Sequence, residues 1–158
     1  MQSRSRIHRA LLAGALALTA AVIAVPSATA DAGIDASGTF REHSFKVIDQ
    51  QVVGTDTVLD RSLKVRFRGT FDGTGDAVEQ VTVHADGSGD VTGRITFTGC
   101  VADRCGTAEL AFAGSSPDSQ FFDGRFTVVS GTDGLATLQG KGEFFHAPDG
   151  TYSGTVRF

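Results

Sequence analysis

The 158-residue chain has no tryptophan and no asparagine, and it holds one tyrosine, one methionine, three prolines and two cysteines. Without asparagine there is no N-glycosylation acceptor. Left-handed turn positions then fall to glycine and aspartate. Two thiols alone do not make a zinc site. No Gly-x-Ser-x-Gly elbow and no His-Glu-x-x-His pair occurs, so serine-hydrolase and zincin chemistry have no foundation here. Beyond residue 30 no window carries a helical apolar stripe.

The first thirty residues read as a leader rather than as part of the fold. Arg4, Arg6 and Arg9 form a basic start, Leu11 to Val25 is a continuous apolar run, and Ala28-Thr29-Ala30 is a small-x-small cleavage site. The apolar run is shorter than the ~20 residues of a spanning helix. No cysteine stands at the cleavage site to take a lipid, and Arg4 and Arg6 are not adjacent as in a twin-arginine signal. The expectation is a secreted, extracellular protein cut after Ala30, with domains 1–30 (signal peptide) and 31–158 (folded).

Removing the leader leaves eleven Lys and Arg against eighteen Asp and Glu, a net charge of −7. Nucleic acid calls for a basic footprint, and an anionic lipid surface calls for the same. Neither partner is expected. The 128 residues from Asp31 suffice for one core without metal or a disulfide net.

Apolar residues recur with a period of two. Leu63, Val65, Phe67 and Phe71 alternate with polar neighbours, as do Ile95 and Phe97, then Ala108, Leu110 and Phe112. Phe122, Phe126 and Val128 repeat the pattern, and so do Tyr152, Val156 and Phe158. One wet and one buried face per strand is the antiparallel signature. About eight strands are expected, near 37–48, 52–59, 62–71, 77–84, 90–99, 105–113 and 121–129, with a closing hairpin 141–147/151–158 whose two arms, counted apart, make nine. Turns are expected at Asp72-Gly73, Asp86-Gly87, Ser115–Asp118, Asp133-Gly134 and Pro148–Gly150. Regular short strands with polar turns predict an all-β closed antiparallel barrel, with the apolar strand Thr151–Phe158 paired on both sides rather than left as an edge.

Each candidate for chemistry has a plainer alternative. Cys100 and Cys105, four residues apart at a hairpin turn, read as a structural disulfide in an exported protein. Asp72-Gly73-Thr74-Gly75-Asp76 and Asp86-Gly87-Ser88-Gly89-Asp90 could hold calcium, yet Asp-Gly is also ordinary turn chemistry; no metal and no cofactor are expected. His43, His84 and His146 each stand near an acid (Glu42, Asp86 and Glu143). Closure of a barrel could bring strands around 43 and 146 together, and a lumenal His–Glu pair could do acid–base work; histidines on a wet outer face are the alternative. Lys64, Arg66 and Arg68 make a basic stripe that suits a solvated face. Phe67, Phe97, Phe112, Phe126, Phe144 and Phe158 fall where they would point inward. An eight-stranded barrel is either just filled by such rings or holds one small ligand.

Several segments carry a family likeness: Ser37-Gly38-Thr39-Phe40, the hairpin Asp90–Phe97 with Gly106–Gly114, the segment Val128–Gly142, and Gly150-Thr151-Tyr152. In this order they resemble an uncharacterised bacterial domain family with an allene-oxide-cyclase-like, dirigent-like barrel. The resemblance covers nearly all of residues 31–158 and is most specific over Ser130–Gly142. It implies an eight-stranded antiparallel barrel and no activity, because no motif matches the catalytic positions of the plant enzymes. Architectural relatives form dimers or trimers; here a monomer is expected. The first functional expectation is a non-enzymatic secreted barrel that binds a small apolar ligand or docks an extracellular partner. The second is a cyclase- or isomerase-like enzyme using a buried acid, for which Glu79, Glu109 and Glu143 are the candidates. The third is a filled structural barrel.

Overall fold

The computed structural model describes residues 33–146 and 149–158. The expected leader and its cleavage site lie outside the described residues. Eight strands run in chain order: β1 (Ile34–Val53), β2 (Asp56–Gly69), β3 (Phe71–Val83), β4 (Gly89–Val101), β5 (Arg104–Ser116), β6 (Phe122–Gly131), β7 (Gln139–His146) and β8 (Gly150–Arg157). One 3-10 turn, η1 (Asp133–Leu135), lies between β6 and β7.

Every strand pairs antiparallel with its neighbours in sequence, and β8 returns to pair with β1. The sheet is therefore a ring of eight strands. Its inner face follows the alternation of the sequence. On β2, Leu63, Val65 and Phe67 are buried while Lys64 and Arg68 are exposed. On β3, Phe71, Ala77 and Val81 are buried while Asp72, Asp76 and Val78 face out.

Two expected boundaries move. The chain does not turn at Asp60-Arg61; β2 runs through them, and the reversal comes at Gly54-Thr55, between β1 and β2. The alternation of β1 is broken at two places where its register against β2 slips, Glu42/Ser44 and Val47/Asp49. Each slip is a bulge that turns the following side chains to the other face; the second lies where the expected strand 37–48 stops, and β1 runs on through 49–51 to Val53. Nor does Asp72-Gly73 form a turn. The reversal there uses Gly69, whose φ of +110° suits glycine alone, and Asp72–Asp76 lies inside β3. Gly73 and Gly75 face inward, where a Cβ on Gly73 would meet the Thr98 carbonyl and the Phe97 ring (2.9 Å), and one on Gly75 would meet Ile95 Cγ2 at 2.5 Å and the Phe67 ring at 3.2 Å. These glycines make room for aromatic rings and do not form a loop. The other three expected turns among described residues connect strands as expected, with Asp133-Gly134 wound into η1.

The two ends of the ring differ. At one end lie the β2–β3 and β4–β5 turns and η1. Ala102 N–H donates to Thr70 O, and Thr132 N–H donates to Thr107 O, which ties these connections together. Leu135 of η1 is 0 % exposed and Leu138 is buried beside it, so the segment after β6 is a plug across this end. Above the plug, Phe71 meets Phe97, Phe126 and Tyr152 edge-on at 5.5–6.2 Å between ring centroids, the geometry that aromatic quadrupoles favour. Tyr152 Oη accepts from Phe71 N–H at 2.9 Å and lies 3.2 Å from Arg68 O, to which it donates, so its one polar atom is satisfied. Burial raises its pKa above the usual 10. At this end Cys100 and Cys105 face each other across β4 and β5 with their sulfurs at bonding distance, 1.94 Å.

At the other end the ring is uneven. β8 covers β1 only from Ile34 to Phe40, whereas β2 follows β1 to its end. The β1–β2 hairpin therefore projects past its β8 neighbour and carries exposed Phe45, Ile48 and Val52.

Candidate functional site

A hollow of about 80 Å³ opens inside the ring toward the uneven end. Its depth is lined by Phe67, Phe71, Phe126, Leu110 and Tyr152. Phe40, Phe112, Phe122 and Phe144 stand higher on the same wall, with Phe112 and Phe144 edge-to-face at 5.9 Å. Four ionisable side chains complete the lining: Glu42 on β1, Arg61 on β2, Glu79 on β3 and His146 on β7.

Their placement follows from strand periodicity. Each continues the inward set of its strand toward the same end: Glu42 two after Phe40, Arg61 two before Leu63, Glu79 two after Ala77, His146 two after Phe144. Arg61 and Glu79 are also direct cross-strand partners. Arg61 Nε donates to Glu79 Oε1 at 2.7 Å, and Nη2 donates to the same oxygen. The Glu79 side chain is 7 % exposed and that of Arg61 22 %. Oε2 of Glu79 has no hydrogen-bond partner among the described residues. Burial pushes the pKa of Glu79 above the usual carboxylate value; Arg61 opposes this, and the charge of Glu42 adds to it. His146 Nε2 stands 3.4 Å from Glu42 Oε1, with both side chains about a quarter exposed. That separation is longer than a good hydrogen bond. The His146 ring also lies 5.5 Å from that of Phe40.

The residues singled out from the sequence separate into those that line the hollow and those that do not. Phe67, Phe112, Phe126 and Phe144 line it. Phe97 is fully buried beneath it, and Phe158 is half-buried under the Arg104 guanidinium at 4.3 Å. Of the three acids, Glu79 alone lines the hollow. Glu109 pairs with Arg94 on the outer face, and Glu143 lies 4.0 Å from Arg125, also outside. His43 is exposed. His84 is held on the outside by Asp56 at 2.9 Å and Asp90 at 3.0 Å, not by Asp86, and these bonds raise its pKa. In the basic stripe, Lys64 pairs with Asp76 and Arg66 with Asp72, both at 2.6 Å across the outer face. The acids of the first Asp-Gly segment are thus engaged by cations. Among the described residues no three His, Cys, Asp or Glu side chains converge as a metal site would require.

The expected approach of the strands around 43 and 146 occurs, and the His–Glu pair it brings to the hollow is His146 with Glu42, whereas Phe40 and Arg61 line the hollow without having been candidates. The period itself is the signal for the four charged lining groups, since stepping by two from an inward Phe, Leu or Ala reaches Glu42, Arg61, Glu79 and His146. For Arg61, the expected break between strands 52–59 and 62–71 hid the step.

An eight-stranded antiparallel ring, plugged at one end and open at the other onto an aromatic hollow with a charged rim, defines a small all-β protein. The chain belongs to the family described as "protein of unknown function (DUF3224)", whose model matches residues 36–158. It is similar in fold to a solved member of that family from Shewanella oneidensis MR-1, a protein with unknown function. The two share 19 % identity with a TM-score of 0.69, over 80 % of this chain and 98 % of the other. No curated protein matches the chain.

Proposed function

We propose that the ring is a closed barrel of the allene-oxide-cyclase-like kind, exported after loss of residues 1–30, and that it binds a small apolar molecule in its lumen. The observation that carries this reading is the hollow: apolar in its depth, open at one end, and bordered there by a few polar groups, as ligand sites are. Its volume of about 80 Å³ is roughly half the ~150 Å³ of an engineered cavity that takes benzene. The ligand is therefore slim, with part of it at the mouth, or it enters as a Phe ring swings aside. Native mass spectrometry of the protein from its host's culture medium tests this. A bound species of fixed mass is expected, and it should be absent from Ala77→Leu, which fills the hollow from the wall. A bare mass for the wild type, together with no uptake of small hydrocarbons, would sink the reading in favour of a filled structural barrel.

One observation favours a second reading, a cyclase- or isomerase-like enzyme. Glu79 is an acid with a raised pKa aimed at an apolar hollow, the setting in which carboxyl groups do proton transfer. In that case the bound species leaves chemically changed, and Glu79→Gln stops the change.

A further inference from the structure

The mouth of the hollow has its own chemistry, and it points to the head group of the ligand; this inference rests on the binding reading above. Two carboxylates, Glu42 and Glu79, line the mouth against one permanent cation, Arg61. Arg61 turns Nε and Nη2 to one oxygen of Glu79 and stands 5.9 Å from the Phe45 ring, and the other Glu79 oxygen is left without a partner among the described residues. Glu42 has only His146, at 3.4 Å, too far to satisfy it. The mouth thus offers two under-used acceptors and a surplus of negative charge. A carboxylate or phosphate head would meet that surplus at close range, and in a half-buried site the repulsion is weakly screened.

A second, independent feature agrees. Phe40, Phe112, Phe122 and Phe144 line the wall of the same hollow. Aromatic faces attract cations through their quadrupoles and are the common lining of sites for ammonium groups. Acceptors at the rim with rings along the wall suit a cation better than a neutral hydroxyl, which gains little from the rings. The excess of acids outside residues 1–30, eighteen against eleven Lys and Arg, also draws cations toward the protein at low salt.

We propose that the lumen selects a molecule with an apolar end and a protonated primary or secondary amine as its head, the ammonium held between Glu42 and the open oxygen of Glu79. The apolar end lies among the rings toward Phe71 and Leu110, and Arg61 keeps Glu79 aimed at the mouth.

Hexylamine, hexan-1-ol and hexanoate share one hydrocarbon and differ only in head group, so they test this on the purified protein by calorimetric titration at neutral pH. Hexylamine should bind about tenfold or more tighter than hexan-1-ol, and hexanoate should bind weakest. Glu42→Gln should bring hexylamine down to the level of hexan-1-ol while leaving hexan-1-ol itself unchanged. Glu42 is the better position for this test because its loss strands no buried partner, whereas Glu79→Gln would leave Arg61 without its anion. Binding of hexan-1-ol or hexanoate as tight as hexylamine, or an amine preference that survives Glu42→Gln and Glu79→Gln alike, would overturn the head-group assignment alone. Failure of all three to bind would overturn the binding reading and this inference with it.

Discussion

The plugged end of the ring and its open end are built from the same alternating strands, yet they obey different rules. At the plugged end every inward group is apolar or, like Tyr152, fully hydrogen-bonded. At the open end the same inward positions carry Glu42, Arg61, Glu79 and His146. Burying charge is costly even when it is paired, and a pair in a half-wet site contributes little to stability. The plugged end therefore holds the molecule together, and the open end carries groups whose presence stability does not explain. That is the physical reason for placing function at the mouth.

The comparison can be broken most severely at the floor. Phe97→Ala removes a ring that is 0 % exposed and wedged against Phe67 and Phe71. It should cost about 3–5 kcal/mol, read as a drop in the urea midpoint. A loss below about 1 kcal/mol would mean that the floor is not the stabilising end. Next comes the cross-strand pair beneath it. Replacing Cys100 and Cys105 together by serine opens a short loop and should cost about 2 kcal/mol, seen as the same shift on adding reductant to the wild type.

The smallest effect belongs to the mouth, although two charges go. Arg61→Met with Glu79→Leu should leave stability within about 1 kcal/mol of wild type or raise it, because an apolar pair of similar size avoids the desolvation. Its pH profile should also change. Glu79 has a folded pKa above its ordinary 4.5. Its neutral form is favoured by folding, so its contribution is fully present below about 4.5 and is lost as pH rises through the raised value. The double variant lacks that decline. A double variant as damaged as Phe97→Ala would erase the distinction between the two ends.

Most of the ring was legible in the sequence, because a period of two survives in any strand with one wet face. Leu63, Val65 and Phe67 are buried as their alternation requires, and Cys100 meets Cys105 across the hairpin their spacing implies. The full length of β1 was not legible: the strand expected over 37–48 runs on to Val53, past the second bulge, where the alternation reverses. The segment Asp72–Asp76 misled for a different reason. Asp-Gly is turn chemistry only where the backbone must reverse, and here the β4 backbone at Thr98, Ile95 and the Phe67 and Phe97 rings fill the space in front of the glycines. The site was legible only in part. Six phenylalanines announced an aromatic interior, and the step of two reaches Glu42, Arg61, Glu79 and His146 one by one, but their meeting at one mouth depends on which strands end level with one another around the ring. That is a property of register between distant strands, and no local pattern encodes it.

The pairing of β8 with β1 brings Ile34 to Val156 and Phe40 to Gly150, the two extremes of the folded region. Every other pair of strands is a local hairpin or a short connection that can form as soon as its own residues are available. The β1–β8 clasp must instead close a loop of nearly the whole domain, and contacts of that separation are slow to find. Until it closes, both β1 and β8 present bare edges to any other chain nearby. The time between emergence of the first strand and arrival of the last is therefore the period in which this molecule is exposed to aggregation. The seven-residue clasp from Ile34 to Phe40 ends it.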